Sequence, residues 1–207
     1  GTGCGAGIAV EGKPIMGING IGGEWGHNPL PLPQVYTEDK DILHRVFDKG
    51  LKDPTAIINP TYAHKPHPTY FTDNPDLNEY PGMQCYCGKR GCLETWISGT
   101  GMSNDYQRVT GEKKTAKDIV NDALNGNQTA HATLERYTDR LARALSTVVN
   151  ILDPDMIVLG GGMGNIDYLY EQVPVLWDHY IFSDTIATKL ARPVHGDSSG
   201  VRGAAWL

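Results

Sequence analysis

The cysteine spacing near the middle of the chain constrains its folding more than any other feature. Cys85, Cys87 and Cys92 follow a C-x-C-x₄-C pattern with glycines at the two turns. Thiolates this close together on a glycine-bent loop can converge on one soft metal ion without straining the backbone. A closed tetrahedral zinc site needs a fourth ligand, and His27 is a good candidate. The alternative, two structural or redox cysteines plus a spare one, stays open on spacing alone.

Size, charge and cysteine usage narrow the class of protein. The 207 residues suit one domain with its own core, and four cysteines, three of them clustered, do not resemble a secreted disulfide framework. A metal site in a reducing compartment fits better, so we expect a cytoplasmic protein. A net charge of −6 offers no basic stripe for phosphates, which argues against a nucleic-acid partner. The apolar runs are too short for a membrane span, so we expect no membrane partner.

The chain opens on a glycine-dense segment, Gly1-Thr2-Gly3-Cys4-Gly5-Ala6-Gly7, which leads into Ile8. Such a turn normally joins two elements, so we expect an element before Gly1 and interpret the chain as the C-terminal part of a longer protein. Without Cβ atoms the backbone can approach an anion closely, and Thr2 adds a hydroxyl donor. The segment is not a Walker A loop, because no Gly-Lys-Ser/Thr follows. A simple tight turn is the alternative.

A second glycine cluster, Gly160-Gly161-Gly162, lies between a buried strand predicted over Met156–Leu159 and a helix predicted over Asn165–Ile181. Ligands favour this position in α/β folds, outside the carboxyl end of a strand. Two such segments in one chain strengthen the case for a bound nucleotide.

Apolar periodicity predicts an α/β arrangement in the second half of the chain. The strongest predicted helix covers Thr129–Leu152, where leucines and a valine recur at helical steps, and it ends at Asp153-Pro154. The apolar stripe consists of Leu134, Leu141, Leu145, Val148 and Leu152. The other predicted elements are a strand at Ile8–Val10 with a hairpin turn at 11–14, helices at Asp39–Gly50, Thr115–Leu124 and Gly200–Leu207, and a strand at Thr188–Val194.

Two glutamates, Glu24 and Glu94, each flank a candidate metal ligand. Carboxylates beside glycine-rich loops suit bidentate hydrogen bonds to neighbouring sugar hydroxyls, whereas the alternative is a pair of solvated surface glutamates. A nearby metal site would fix their positions, which favours binding. The metal itself would be structural, because three thiolates and one imidazole leave no coordination position for water.

Together these segments resemble the C-terminal part of the ROK family (repressors, open reading frames and sugar kinases). The matching segments are Gly1–Gly7, Gly23-Glu24-Trp25-Gly26-His27, Cys85–Glu94 and Val158–Gly162. Within the family, Gly23–Pro33 and His195–Leu207 look most like bacterial fructokinases of the manno(fructo)kinase type.

The resemblance implies a fold, ligands and partners. The fold would be the actin-like, ribonuclease-H-like ATPase fold, with residues 1–207 forming the C-terminal lobe of a two-lobed kinase that dimerises with itself. Implied ligands are a structural Zn²⁺, ATP with its Mg²⁺, and a hexose. The implied contacts are zinc on His27, Cys85, Cys87 and Cys92; sugar on Glu24, His27 and Glu94; and ATP on Gly1, Thr2, Gly3, Cys4, Gly5, Ala6, Gly7, Ile8, Gly160, Gly161 and Gly162.

The expected activity is transfer of a phosphoryl group from ATP to the 6-hydroxyl of fructose, with mannose as a further substrate. The family's catalytic aspartate and first phosphate loop have no counterpart in this sequence, so we expect no catalytic base within 1–207 and no kinase activity from this segment alone. The alternatives are a ROK kinase for glucose or N-acetylglucosamine, and a sugar-sensing ROK transcriptional repressor.

Overall fold

The computed structural model describes residues 3–36, 71–72 and 74–196, and helices form its core. The α-helices in these ranges are α1 (Glu94–Ile97), α2 (Gly99–Thr110), α3 (Ala116–Leu124), α4 (Gln128–Leu152) and α5 (Asp167–Trp177). Short strands pair two by two: β1 (Ala9–Val10) with β2 (Lys13–Pro14), β3 (Val35–Tyr36) with β4 (Phe71–Thr72), and β5 (Met156–Val158) with β6 (Lys189–Ala191). Among the helices of these ranges, none is both long and apolar enough to cross a bilayer.

Helix α4 is the longest element, and its predicted bounds are confirmed to within one residue. Its first turn is capped by Asn127, whose side-chain oxygen accepts a hydrogen bond from the backbone N–H of Ala130 at 2.9 Å. It ends at Asp153, which takes a left-handed conformation with φ of 43° just before Pro154. Local sequence signals therefore determine both ends of this helix.

The apolar stripe of α4 packs against α3 and α5. Leu134, Leu141 and Leu145 are buried as predicted. The stripe is not buried to its end, however, because Leu152 is 45% exposed. Val148 and Leu152 instead line an open cleft that is described below with the functional site.

Helices α1 and α2 were not predicted from the sequence, and they connect the cysteine loop to the core. Helix α1 begins at Glu94, two positions after Cys92, and is only one turn long. The Ser98 hydroxyl then caps α2 by accepting a hydrogen bond from the Gly101 N–H at 2.9 Å. A single turn followed by a glycine-rich first turn carries little helical periodicity, so packing of residues such as Trp96 (1% exposed) decides this conformation.

The strands are shorter than predicted, and one expectation about them is wrong. The opening hairpin of β1 and β2 is confirmed, with antiparallel pairing of Val10 and Lys13. Strand β5 also forms where predicted and pairs in parallel with β6. It is not a buried strand, because Met156 and Val158 are about half exposed at 51% and 52%. Its apolar side chains line the open cleft rather than a closed core.

Predicted elements in the second half are otherwise confirmed with shifted ends. Helix α3 corresponds to the predicted helix at 115–124, α5 to the one at 165–181, and β6 to the strand at 188–194. Strands β3 and β4 were not predicted. The predicted helices at Asp39–Gly50 and Gly200–Leu207 lie outside the described residues.

A cluster of buried charges joins α2 to α4. The Asp105 carboxylate, which is fully buried, accepts hydrogen bonds from Arg108 at 2.7 Å and from Arg136 at 2.9 Å, and lies 3.1 Å from Arg140. Burial alone would raise the pKa of Asp105, but the guanidinium groups of Arg140 and Arg136 outweigh it and lower the pKa to about 2. Asp105 is therefore ionised in the folded protein.

The same cluster extends to Glu79 in the segment that leads into the cysteine loop. Its carboxylate accepts hydrogen bonds from Arg140 Nε at 2.6 Å and from Arg143 at 2.9 Å. It also accepts the backbone N–H of Gln34 at 2.8 Å, while Arg143 donates to the Leu32 carbonyl at 2.8 Å. Burial opposes ionisation of Glu79, yet the two arginines lower its pKa overall. The charges thus connect α4 to both segments that carry candidate site residues.

Replacing Asp105 tests the importance of this cluster for stability. Because the folded pKa of about 2 lies below the unfolded value near 3.9, the Asp105 charge contributes fully above about pH 4, and its contribution is lost as the pH falls toward 2. We expect Asp105→Asn to lower the free energy of unfolding at pH 7 by roughly 3–5 kcal/mol, since it leaves buried guanidinium groups uncompensated. Urea titration between pH 7 and 3 measures both quantities.

The matched control is Asp155→Asn, at an exposed position outside the cluster. It is expected to keep the stability and the acid sensitivity of the wild type. An Asp105→Asn protein with wild-type stability and an unchanged loss of stability in acid would contradict the assignment.

Candidate functional site

Four side chains with metal-binding atoms converge at one point. The ligand atoms of His27, Cys85, Cys87 and Cys92 all lie within 4.8 Å of one another. His27 Nδ1 is 3.6 Å from Cys85 Sγ, and the sulfur atoms of Cys87 and Cys92 are also 3.6 Å apart. Zn–S bonds of roughly 2.3 Å in a tetrahedron place sulfur atoms roughly 3.8 Å apart, so the spacing and donor set fit zinc. The predicted convergence of these four residues is confirmed.

Backbone hydrogen bonds of the cysteine loop bring the thiols together. The Cys85 N–H donates to the Lys89 carbonyl at 2.9 Å, and the Gly91 N–H donates to the Met83 carbonyl at 2.9 Å. Gly88 and Gly91 have φ values of 89° and 71°, which only glycine adopts without strain. The glycines at the two turns thus permit the tight reversal that the spacing predicts.

The histidine segment is attached to the same loop by the backbone. The Leu93 N–H donates to the Asn28 carbonyl at 2.8 Å, and the Leu30 N–H donates to the Gly91 carbonyl at 3.0 Å. This pairing places His27 beside cysteines that are far away in the sequence. The fourth ligand position is therefore set by contacts between two chain segments.

All four cysteines of the chain are free thiols in the structure. In this form a hydrogen bond from the Lys89 backbone lowers the pKa of Cys87 to about 7. Burial and a hydrogen bond to Glu94 raise the pKa of Cys85 to about 12. Metal ligation would therefore release protons from the cluster, since zinc binds thiolates.

Glu94 lies between the thiol cluster and the first glycine segment. It is 8% exposed, and its Oε1 accepts a hydrogen bond from Cys85 Sγ at 3.0 Å and lies 3.7 Å from His27 Nδ1. A Cβ atom at Gly3 would come within 3.1 Å of Glu94 Oε2. Glu94 is thus a buried carboxylate and not a solvated surface glutamate, whereas Glu24 is exposed beside the same cluster.

The first glycine segment packs directly on the histidine segment. The Ala6 N–H donates to the Gly23 carbonyl at 3.0 Å. A Cβ at Gly23 would come within 2.1 Å of the Ala6 carbonyl oxygen, and one at Gly26 within 1.8 Å of the Cys4 carbonyl oxygen. These glycines are required because the two backbones touch at these positions. Gly1 and Thr2 lie outside the described residues.

Both glycine segments line one cleft of about 590 Å³. Residues 3–8 form one wall, and Gly160 and Gly161 form part of another, while Gly162 is not among the lining residues. Apolar side chains of α4 and β5 complete the cleft, which has the volume of a small-molecule site. The two glycine segments, which are distant in the sequence, thus line the same cleft.

The sequence prediction missed several residues of this region. Tyr86 places its hydroxyl 3.0 Å from His27 Nε2, and Trp25 and Ser98 line the cleft. Tyr86 could have been suspected from its position between two candidate ligands. Nothing in the local pattern marks Trp25 or Ser98, because their positions depend on how the segments pack.

Comparison with known proteins identifies the family of this chain. The sequence profile of the ROK family matches residues 1–207. The N-acetyl-D-glucosamine kinase of Vibrio atlanticus (strain LGP32) is 32% identical over 207 residues, covering 100% of this chain and 56% of that protein. The chain therefore spans about half the length of the curated relatives that it matches.

Solved structures show the fold. The ROK hexokinase from Thermus thermophilus superposes with a TM-score of 0.67 at 22% identity, covering 99% of this chain and 53% of that one. A ROK transcriptional regulator, a homologue of the E. coli MLC protein, superposes with a TM-score of 0.57 at 21% identity, covering 92% of this chain and 39% of that one. The predicted actin-like ATPase fold is thereby confirmed. The profile match over the whole length shows that the chain belongs to the ROK family.

Proposed function

We propose that the full-length protein is an ATP-dependent hexose kinase and that this chain contributes both its sugar site and its nucleotide cleft. One observation carries the proposal. A buried carboxylate, Glu94, contacts the thiol–imidazole cluster on one side and approaches the glycine segment at Gly3 on the other. A phosphoryl donor in the glycine-lined cleft would therefore lie next to a hydroxyl acceptor held by Glu94.

The sugar site would consist of Glu24, His27 and Glu94. Carboxylates accept hydrogen bonds from neighbouring hydroxyl groups, and charge-assisted bonds of this kind are among the stronger ones. As a zinc ligand, Cys85 would be a thiolate and would no longer donate its hydrogen bond to Glu94. Glu94 Oε1 would then be available to a sugar hydroxyl.

Zinc would be held by His27, Cys85, Cys87 and Cys92 and would fix the geometry of the loop. A four-ligand site of this kind leaves no position for substrate, so its role is structural. His27 would offer Nδ1, the nitrogen that faces Cys85 Sγ, and would keep Nε2 beside the Tyr86 hydroxyl. The position of Glu94 next to Cys85 depends on the same loop.

The nucleotide would lie in the cleft, with its phosphates on residues 3–8 and its adenosine side on Gly160 and Gly161. Backbone N–H groups of glycine-rich segments bind phosphate oxygens closely because no Cβ intervenes. Mg²⁺ would arrive with ATP. Catalysis of phosphoryl transfer depends mostly on positioning and charge stabilisation, which suits a site built from backbone and carboxylates.

Fructose is the proposed acceptor, through its 6-hydroxyl, with mannose as a second one. The resemblance of Gly23–Pro33 to fructokinases supports it, whereas the name of the Vibrio relative favours N-acetylglucosamine. Glucose is the remaining alternative. A panel of these four sugars with the full-length protein decides among them, because hydrogen-bonded sites discriminate strongly between hydroxyl patterns. A homodimer is proposed from the family resemblance.

A sugar-sensing transcriptional repressor is the second candidate, supported by the structural likeness to a ROK regulator. Such a protein would bind a hexose at the same residues without phosphorylating it. The full-length N-terminal sequence discriminates directly. An Asp-x-Gly-Gly-Thr phosphate loop near the start indicates a kinase, and a basic helix-turn-helix indicates a repressor.

The metal proposal predicts about one zinc per chain in protein purified without chelators. Cys92→Ser should lose most of this zinc and should unfold at lower denaturant concentration, because metal binding and folding are coupled in such loops. Elemental analysis and urea titration measure the two effects. Cys4→Ser, outside the cluster, is the control and should keep its zinc. Zinc-free wild-type protein, or a Cys85–Cys92 disulfide, would contradict this prediction.

Glu94→Gln in the full-length enzyme tests the sugar site. The amide keeps the size of the side chain but loses a charged acceptor, so kcat/KM for the hexose should fall roughly ten- to a hundredfold. The KM for ATP should hardly change, because the glycine segments bind the nucleotide. Steady-state kinetics with both substrates and zinc analysis of the same preparation provide the measurement.

The matched control is Glu112→Gln, an exposed glutamate after α2. It should leave both substrates unaffected. If Glu94 only supports the metal loop, Glu94→Gln loses zinc and stability while its folded fraction keeps normal hexose kinetics. Unchanged kinetics in fully metallated Glu94→Gln would remove Glu94 from the site.

We propose that the catalytic base lies outside residues 1–207, and this proposal predicts how the segment behaves alone. Residues 1–207, expressed without the rest of the protein, should bind zinc but transfer no phosphoryl group from ATP to fructose, whereas the full-length protein should do so. Detection of fructose 6-phosphate measures this directly. Sugar phosphorylation by the segment would mean that Glu24 or Glu94 acts as the base, and the proposed roles would be wrong.

A further inference from the structure

The Tyr86 hydroxyl lies within hydrogen-bonding distance of His27 Nε2, the ring nitrogen that does not face Cys85. The oxygen lies 3.0 Å from Nε2, and the two rings meet edge to face at 85° with centroids 5.1 Å apart. The other imidazole nitrogen, Nδ1, faces Cys85 Sγ at 3.6 Å. His27 therefore presents one nitrogen to the thiol cluster and the other to Tyr86.

The surroundings of this hydroxyl are those expected for a bound sugar hydroxyl. It lies 3.0 Å from His27 Nε2, and the Glu94 carboxylate lies 3.7 Å from Nδ1 of the same ring. His27 and Glu94 are two of the three residues proposed to bind the hexose. A phenol hydroxyl both donates and accepts hydrogen bonds, as a sugar hydroxyl does, so one can substitute for the other.

Among the residues that the structure describes, the Tyr86 ring makes few contacts apart from the one with His27. The residue is 85% exposed, although the flanking Cys85 is buried and both neighbouring cysteines belong to the thiol cluster. Movement of the ring away from His27 would therefore uncover no core surface. It would also leave the backbone of the cysteine loop in place.

We propose that Tyr86 is a displaceable cap on the sugar site, which occupies His27 Nε2 in the sugar-free protein and gives way to a hydroxyl of the hexose. This inference rests on the proposed function. With Nδ1 bound to a metal, Nε2 would carry the ring proton and would donate a hydrogen bond, first to the Tyr86 oxygen and then to an oxygen of the sugar. The hexose thus exchanges one hydrogen bond for another at this nitrogen.

The exchange lowers the affinity of the wild-type protein for the hexose, because binding must first break the hydrogen bond between Tyr86 and His27. Tyr86→Phe removes the competing hydroxyl but keeps the ring. In zinc-loaded full-length protein, we expect this variant to bind the hexose about two- to tenfold more tightly than the wild type, the range that corresponds to one neutral hydrogen bond. Tyr86→Ala should also bind more tightly, since it removes the whole cap.

Isothermal titration with fructose, mannose, glucose and N-acetylglucosamine measures these affinities without ATP. Tyr80→Phe is the matched control, because Tyr80 is also an exposed tyrosine of this segment. The hexose affinity of this variant should equal that of the wild type. Zinc is measured in every preparation. Equal hexose affinity of metallated Tyr86→Phe and the wild type would overturn the cap. Weaker binding by Tyr86→Phe would also overturn it, because Tyr86 would then be a ligand of the bound sugar.

A second measurement follows Tyr86 in the wild type itself. With ¹³C-labelled tyrosine, the Tyr86 signal, assigned by its absence in Tyr86→Phe, should shift saturably as hexose is added. A signal that stays unchanged while titration shows binding would overturn displacement. Wild-type protein that binds none of the four sugars would instead overturn the proposed function, and the cap with it.

Discussion

The buried ion pairs of Arg140 hold together the parts of this structure that form the site. Arg140 is 1% exposed and lies between Glu79 and Asp105, with its guanidinium 4.6 Å from the centre of the Trp96 ring. These contacts join α4 to the segment before the cysteine loop, to α2 and to α1. An unpaired charge at this depth would be very costly, so the loss of one partner would destabilise the contacts of the others.

The position of the metal cluster follows from this arrangement. Glu79 also accepts the backbone N–H of Gln34, and Arg143 donates to the Leu32 carbonyl, so the chain after His27 is attached to the same helix. The chain after His27 and the chain before the cysteine loop are thereby attached to one helix. Zinc would then stabilise a convergence that the protein interior already favours.

Periodic and local signals accounted for the parts of the fold that sequence could predict. Helix α4 has an apolar stripe and is followed by Asp153-Pro154, so its predicted bounds lie within one residue of the observed ones. Helix α1 is a single turn with no period to read, and it was missed. The expected burial of β5 was wrong, because exposure of Met156 depends on what packs over the strand and not on its own composition.

By itself, the sequence determined which residues could form a metal site, because thiol spacing and glycine turns are local properties of a loop. It also marked Glu24 and Glu94 through their positions beside the candidate ligands. The tertiary structure alone decided that Glu94 is buried against Cys85, that Gly3 approaches Glu94, and that Tyr86 rests on His27. Two of these contacts, Gly3 with Glu94 and Tyr86 with His27, join segments distant along the chain, and packing, buried charge and backbone pairing determine which segments meet.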